Sequence, residues 1–376
     1  MNFIHLAEII IVFTLGWCMS ASVLPKISLV SIRKRLFDRV DSRKIHTGPI
    51  PRLGGIAFFP CISVAVSLVI VFHNLYSGVN LLDMDLTTRL LALFSSLFLL
   101  YLMGMMDDLI GVRYRSKFVV QIMCGVLLVF SGIYFDTFYG LFGIYEIPTW
   151  IGKPFTVFIT VFILNAVNLI DGIDGLASGL SIIAFLAFGC MFARLEWWLY
   201  ALISFTALGV LIPFFYFNVF GQVKRGRKIF MGDTGSLTIG LLLATLAVRL
   251  SMTDSEKETV IPGAIVIAFS FLIVPMLDVV RVVLHRVRNG KNPFMPDRNH
   301  IHHKFMALGM SQRKAMVFIL SIASFFALTN VFAIHHIPVT ALFLTDVVVW
   351  TLFHISITAK INKRSKETKL QQKITD

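Results

Sequence analysis

The chain has 376 residues, 57% of them hydrophobic and 15% charged, with a mean hydropathy of +0.81 and a formal charge of +13. Such a balance excludes a soluble globule and describes an all-α polytopic membrane protein. The four cysteines all fall in apolar runs without CxxC spacing, so they read as small packing residues and not as a metal or redox set.

Apolar runs of about 18 or more residues predict eleven transmembrane helices, near 3–24, 53–72, 89–106, 118–135, 154–170, 176–193, 197–217, 235–250, 260–284, 315–334 and 338–358. The first lacks a short apolar core with a cleavage site and reads as a retained helix. Cytoplasmic loops collect Lys and Arg, and a bundle with its N-terminus outside and its C-terminus cytoplasmic places 28 of the 34 basic residues in 25–52, 107–117, 171–176, 218–234, 285–314 and 359–376. Residues 1–358 form a single catalytic domain in this reading, and 359–376 a basic tail facing lipid headgroups. The positive charge is topological and calls for no nucleic acid.

Taken along the chain, the unusual polar motifs all fall on the cytoplasmic side. The third span ends in GMMDDLIG, where the adjacent carboxylates of Asp107 and Asp108 repel each other unless a cation or a basic neighbour such as Lys117 offsets them. A solvated helix end explains such a pair on its own; a divalent-metal or phosphate site gains weight only from its company. The fifth span ends in NAVNLIDGIDGL. Asn165, Asn168 and Asp171 share one helix face there, with Asp174 just beyond Gly172. An Asp near the bilayer core costs roughly 2.5 to 3.5 kcal/mol on insertion scales, so such an edge persists where something binds it.

Before the eighth span, FMGDTGSL sets Asp233 between Gly232 and Gly235, which allow close approach of a ligand. Helix capping would account for Asp233 or Ser236, yet a carboxylate facing other acids and an amide also suits Mg²⁺, which takes oxygen ligands. In the ninth span Asp278 and Arg281 are three residues apart and read as a structural ion pair. That span is overlong and turns amphipathic, so it is expected to bend after Pro275 and follow the cytoplasmic interface. The loop after it, PFMPDRNHIHHKF, holds His300, His302 and His303 in a spacing that fits no zinc template. Beside Arg298 and Lys304, protonated imidazoles suit oxyanions.

Acidic metal ligands and a basic loop at a membrane edge point to phosphoryl transfer involving a nucleotide and a lipid. A transporter also carries intramembrane acids, but it predicts polar residues spread through membrane depth.

Five segments, IPRLGG at 50–55, MDDLIG at 106–111, NAVNLIDGIDGLASG at 165–179, FMGDTGSL at 230–237 and NPFMPDRNHIHH at 292–303, together resemble the polyprenyl-phosphate N-acetylhexosamine-1-phosphate transferases. The resemblance implies attack of undecaprenyl phosphate on the β-phosphorus of a UDP-N-acetylhexosamine, release of UMP, and Mg²⁺ as cofactor with Mn²⁺ as an alternative ion. The PDRNHIHH form resembles the branch using UDP-GlcNAc at the first membrane step of surface polysaccharides. UDP-QuiNAc, UDP-FucNAc and UDP-GalNAc stay open, and Lys304 after the histidines disfavours the MurNAc-pentapeptide branch. It further implies a bacterial inner-membrane enzyme with its site facing the cytoplasm, and leaves a homodimer open.

Residue by residue, the resemblance makes Asp233 a metal ligand, with Asn168 as ligand or orienter. Phe230 would stack on uracil and Asp174 line the uridine pocket, supported by Asp171 and Asn165. Asp107 and Asp108 would act at the lipid phosphate. Lys117, Lys44 and His46 would bind phosphates, and Arg298, His300, His302 and His303 the diphosphate or sugar. A phosphate monoester has its second pKa near about 6 and is already largely dianionic at neutral pH, so Asp107 is expected to position it or act as a weak base in direct in-line attack.

Overall fold

The computed structural model describes residues 3–36, 50–253, 261–292 and 299–375. The helices follow one another with short connections: α1 (Phe3–Arg33), a 3₁₀ turn at Gly54–Ala57, α2 (Phe58–Ser77), α3 (Met84–Ile110), α4 (Tyr114–Phe130), α5 (Thr149–Ile170), α6 (Leu176–Arg194) and α7 (Trp198–Phe220). Then come α8 (Gly232–Leu250), α9 (Ala264–Ser270), α10 (Ile273–Arg288), α11 (Ile301–Ala307), α12 (Gln312–Ala333) and α13 (Val339–Thr375). Each expected span has its helix. Among the described residues nine helices are long and apolar enough to cross a bilayer, and α9 with α10 add a tenth as a bent pair. Where a fourth span was expected, α4 has 17 residues, about 25 Å of helix against about 30 Å of hydrocarbon.

The centre of the bundle is α8, whose residues from Thr234 to Leu250 are all buried. A helix apolar on every side belongs in the middle, and α2, α3, α5, α6 and α9 pack around it. Small residues let its first turn come close to its neighbours. A Cβ on Gly104 of α3 would lie 2.5 Å from the Thr234 Cα, and one on Gly55 would lie 2.1 Å from the Gly235 nitrogen. The segment 51–55 is also stitched to the extended segment leading into α8: Phe230 N donates to Pro51 O at 2.8 Å, Gly54 N to Phe230 O at 2.9 Å and Gly55 N to Met231 O at 2.9 Å. These bonds fix where Asp233 emerges.

Three local expectations change. The ninth span bends by 80° at the break between Ser270 and Ile273, ahead of Pro275 and not after it. Pro275 sits in the first turn of α10, where its missing N–H has no intrahelical partner to lose. A two-stranded antiparallel hairpin, β1 (Thr137–Leu141) and β2 (Ile144–Glu146), occupies a connection that carried no strand prediction. Finally, α13 runs unbroken to Thr375, so the expected tail beginning at residue 359 continues the last helix.

Candidate functional site

At one end of the bundle the C-terminus of α3, the N-terminus of α4, the C-terminus of α5 and the N-terminus of α8 meet. The acid pair divides there. Asp107 Oδ2 accepts from Lys117 Nζ at 2.6 Å and its Oδ1 from Val112 N at 2.7 Å. Asp108 turns the other way: Oδ1 accepts from Asp233 N at 2.8 Å, and Oδ2 from Thr234 N at 3.0 Å and Thr234 Oγ1 at 2.6 Å. It therefore caps α8 from a different helix, satisfying amides that no intrahelical carbonyl can reach and placing negative charge at the positive end of the helix dipole. The sequence offered one role for the pair; the structure shows Asp107 facing the cleft and Asp108 spent on positioning Asp233.

Gly232 makes this cap possible. It adopts φ +71°, and a Cβ there would stand 2.2 Å from Arg52 O and 2.6 Å from Asp108 Oδ2.

The Asp233 carboxylate is held by two donors, Asn168 Nδ2 on Oδ1 at 3.0 Å and the Lys117 ammonium on Oδ2. Asn168 Nδ2 also donates to Ser236 Oγ at 2.8 Å. In this arrangement the amide nitrogen and not the oxygen faces Asp233, so Asn168 orients the carboxylate. Lys117 bridges Asp107 and Asp233, and its ammonium marks the point between two carboxylates where a cation is stabilised. The donor set there is oxygen from Asp107 and Asp233, which suits a hard divalent ion such as Mg²⁺ and offers nothing to a thiophilic one.

Beyond α5 the loop of Asp171–Asp174 continues the acidic wall. Surrounding protein desolvates Asp171 and pushes its carboxyl up to about 7, Asp233, Asp174 and Asp108 adding like-charge repulsion and Arg52 opposing it, while its side chain still meets water at the cleft mouth. A carboxyl raised from near 3.8 to about 7 favours the protonated native state, so its ionisation costs the fold stability as pH rises through that window. Asp171→Asn is accordingly expected to melt progressively above wild type between pH 4 and 7 in EDTA, with the gap narrowing when Mg²⁺ is added. A gap that stays constant with pH in thermal-shift scans would refute this.

Asp174 pairs with Lys228, four residues before the start of α8. Asn218, buried near the end of α7, ties the same two segments together: its Oδ1 accepts from Gly175 N at 2.6 Å and its Nδ2 donates to Ile229 O at 2.9 Å. Phe230 follows in this segment, half-buried and three residues before Asp233. Sequence reasoning missed Lys228 and Asn218. Lys228 carried a faint signal, a cation two residues before Phe230; Asn218, inside an apolar helix, carried none beyond its polarity.

Asn165 does not join the site. Its Nδ2 donates to Gln121 Oε1 of α4 and to Val161 O, both at 2.7 Å, one helical turn deeper than Asn168, so it satisfies a buried amide between α4 and α5 instead of a substrate.

The histidine loop docks on the same end. Asp278 of α10, fully buried, accepts from Arg281 at 2.7 Å and from Ile301 N at 3.1 Å, and pairs with His300 Nδ1 at 2.8 Å. Arg281 also donates to Asn299 O at 2.5 Å. The expected structural ion pair is present, and it does more: it fixes the start of α11. His300 is thereby an anchor, one nitrogen already used. His302 is 1% exposed and lies against Gly172, where a Cβ would come within 2.3 Å of its Nε2. Burial, then His303 and His300, pushes its imidazole down to about 3, so at neutral pH it is an uncharged ring with one N–H to offer, not the imidazolium expected from sequence. His303 packs on it at 4.2 Å between ring centroids. Lys44, His46 and Arg298 lie outside the described residues.

Residues 90–251 match the profile of Glycosyl transferase family 4. The undecaprenyl-phosphate alpha-N-acetylglucosaminyl 1-phosphate transferase of Yersinia pestis is 31% identical over 310 residues, covering 80% of this chain and 78% of the relative. Those of Escherichia coli strain K12, 31% over 321 residues with 81% and 78% covered, and Salmonella typhi, 31% over 327 residues with 82% and 80% covered, are similar to the same extent.

Proposed function

The chain belongs to Glycosyl transferase family 4, and from that premise we propose that it transfers GlcNAc-1-phosphate from UDP-GlcNAc to undecaprenyl phosphate. A lipid-phosphate oxygen forms a bond to the β-phosphorus, the bond from that phosphorus to the bridging oxygen breaks, and UMP leaves with that oxygen. The observation that carries this reading is the meeting of Asp107, Lys117, Asn168 and Asp233 with the 171–174 loop and the histidine helix at one bundle end, in a chain whose relatives bear that name.

In this reading α4 is the eleventh crossing, residues 1–358 are one catalytic unit, and the basic bias of the loops supports a site on the cytoplasmic side of a bacterial inner membrane. Mg²⁺ would be held by Asp233 and Asp107, with Asn168 orienting Asp233, and would supply charge neutralisation at the diphosphate. Lys117 would donate to a phosphate oxygen. Asp107 would position the lipid phosphate, already a dianion. Asp174 and Phe230 would bound the uridine pocket, and His302 and His303 its diphosphate or sugar side, with Asp171 tuning the charge between them. Another UDP-N-acetylhexosamine would fit the same machinery, because sugar choice depends on loop geometry around it.

Membranes supplied with radiolabelled UDP-GlcNAc and undecaprenyl phosphate should yield chloroform-soluble label that is lost with EDTA and reversed by UMP. Release of UDP, or no product from any UDP-N-acetylhexosamine, would overturn the reading. Lys228→Ala, which removes the ammonium that pairs with Asp174, is expected to raise KM for UDP-GlcNAc about tenfold with kcat changed less than threefold, roughly the 1.4 kcal/mol of one weakened ground-state contact. Steady-state kinetics with the lipid saturating checks it.

A further inference from the structure

The opposite end of the bundle holds a second constellation with ligand chemistry. His5 and Glu8 lie one turn apart in α1, and His73 comes from the last turns of α2. His73 is 15 residues along α2 from Phe58, about 22 Å of helix, whereas the 3₁₀ turn before α2 packs on the Asp233 end. The two sites are therefore separated by most of the membrane.

The Glu8 carboxylate stands between the two rings. Oε2 contacts His5 Nδ1 at 2.9 Å and Oε1 contacts His73 Nδ1 at 2.5 Å. Glu8 is 8% exposed, and the His5 and His73 side chains keep only 16% and 9% of their surface open. Trp198 of α7 closes one side, stacked on His5 at 4.1 Å and 16°. One ligand atom from each of the three residues lies within 4.8 Å of the others, the only such group of His, Cys, Asp or Glu among the described residues.

We propose that His5, Glu8 and His73 form a binding site for a divalent transition-metal ion of the zinc type, fastening α1 to α2 on the membrane face away from the transferase site. Two imidazoles and one carboxylate are a borderline-soft donor set that selects zinc over magnesium. Ligands of a tetrahedral ion with bonds of about 2.0 Å stand about 3.3 Å apart, so rotation of three side chains closes the present spacing. Three protein ligands leave one position for water. A buried Glu between two rings of different helices is also the arrangement in which bound charge is most useful, since the carboxylate is already withdrawn from bulk water.

The test uses purified, tag-free, full-length protein in detergent, stripped with chelator and reloaded with ZnCl₂ at micromolar free concentration. Zinc per chain is measured by mass spectrometry for wild type and for His73→Ala, with Glu8→Gln and His5→Ala as further variants. Wild type should retain one more equivalent than each variant, and zinc should raise its apparent melting temperature by about 5 °C more than that of the variants, while MgCl₂ shifts wild type and variants alike. UMP release in zinc-free Mg²⁺ buffer should stay within about twofold of wild type in His73→Ala. Zinc held at the His300–His303 motif would appear equally in all chains and cancels. Equal zinc in wild type and variants, or no retained zinc in wild type, would overturn the proposal; if His73→Ala fails to fold, Glu8→Gln, which keeps the shape and removes the charge, decides in the same way.

Discussion

Asp233→Asn is expected to lower the rate of UMP release by about 10³-fold at saturating substrates while leaving the fold intact. The carboxylate takes the Lys117 ammonium on one oxygen and the Asn168 amide on the other. An amide of the same shape must turn an NH₂ group toward one of those donors and removes the charge that, with Asp107, makes the cleft attractive to a cation. The start of α8 does not depend on that side chain, because the Asp233 and Thr234 amides are satisfied by Asp108. Thermal unfolding followed by tryptophan fluorescence should therefore stay within about 1.5 °C of wild type, a shift worth about 1 kcal/mol or less in a chain of this length. Retention of more than a tenth of the activity would remove Asp233 from the centre of the reaction.

Asp108→Ala should behave differently, losing stability and activity together. Three hydrogen bonds to one carboxylate hold the first turn of α8, and losing a cap of this kind costs about 2 to 4 kcal/mol, so the apparent melting temperature should fall by about 3 to 5 °C. Activity should fall at least 100-fold, since a displacement near 1 Å in the residue a cap positions has effects of that order. Asp108→Asn keeps one acceptor oxygen and should lie between. Asp107→Asn, by contrast, should reduce turnover with little change in melting, because one oxygen faces Lys117 and the cleft and the other holds a single backbone amide, Val112 N, that an Asn oxygen can still accept from. A neighbouring pair that gave the same result in both assays would contradict the division of roles seen in the structure. The contrast is measurable in one set of purified variants.

Helix placement was legible because apolar runs and a basic bias are properties of linear sequence, and each expected span has its helix. The bend of the ninth span was expected from Pro275 and found before it, because proline is as well accommodated in a first helical turn as after a break. The convergence of the polar motifs was also legible: alternating topology forces every second helix end to the same face, so Asp107, Asn168, Asp233 and the histidine loop could only meet there.

Partnership within that meeting was not legible. Asp107 and Asp108 are adjacent letters, but successive helical side chains point about 100° apart, and only packing against α8 decides that one caps a helix while the other faces a lysine. Asn165 and Asn168 share a helix face, yet Gln121 of α4 takes the first and Asp233 the second. His302 reads as a cation in sequence and is neutral once buried against Gly172. His5, Glu8 and His73 have no shared motif at all. Sequence alone determined the membrane class, the family and the face on which the chemistry gathers, because these follow from hydrophobicity, charge bias and long motifs. The tertiary structure decided which carboxylate serves the cleft and which serves the fold, because hydrogen bonds and desolvation act across helices brought together by packing, over distances that chain order does not record.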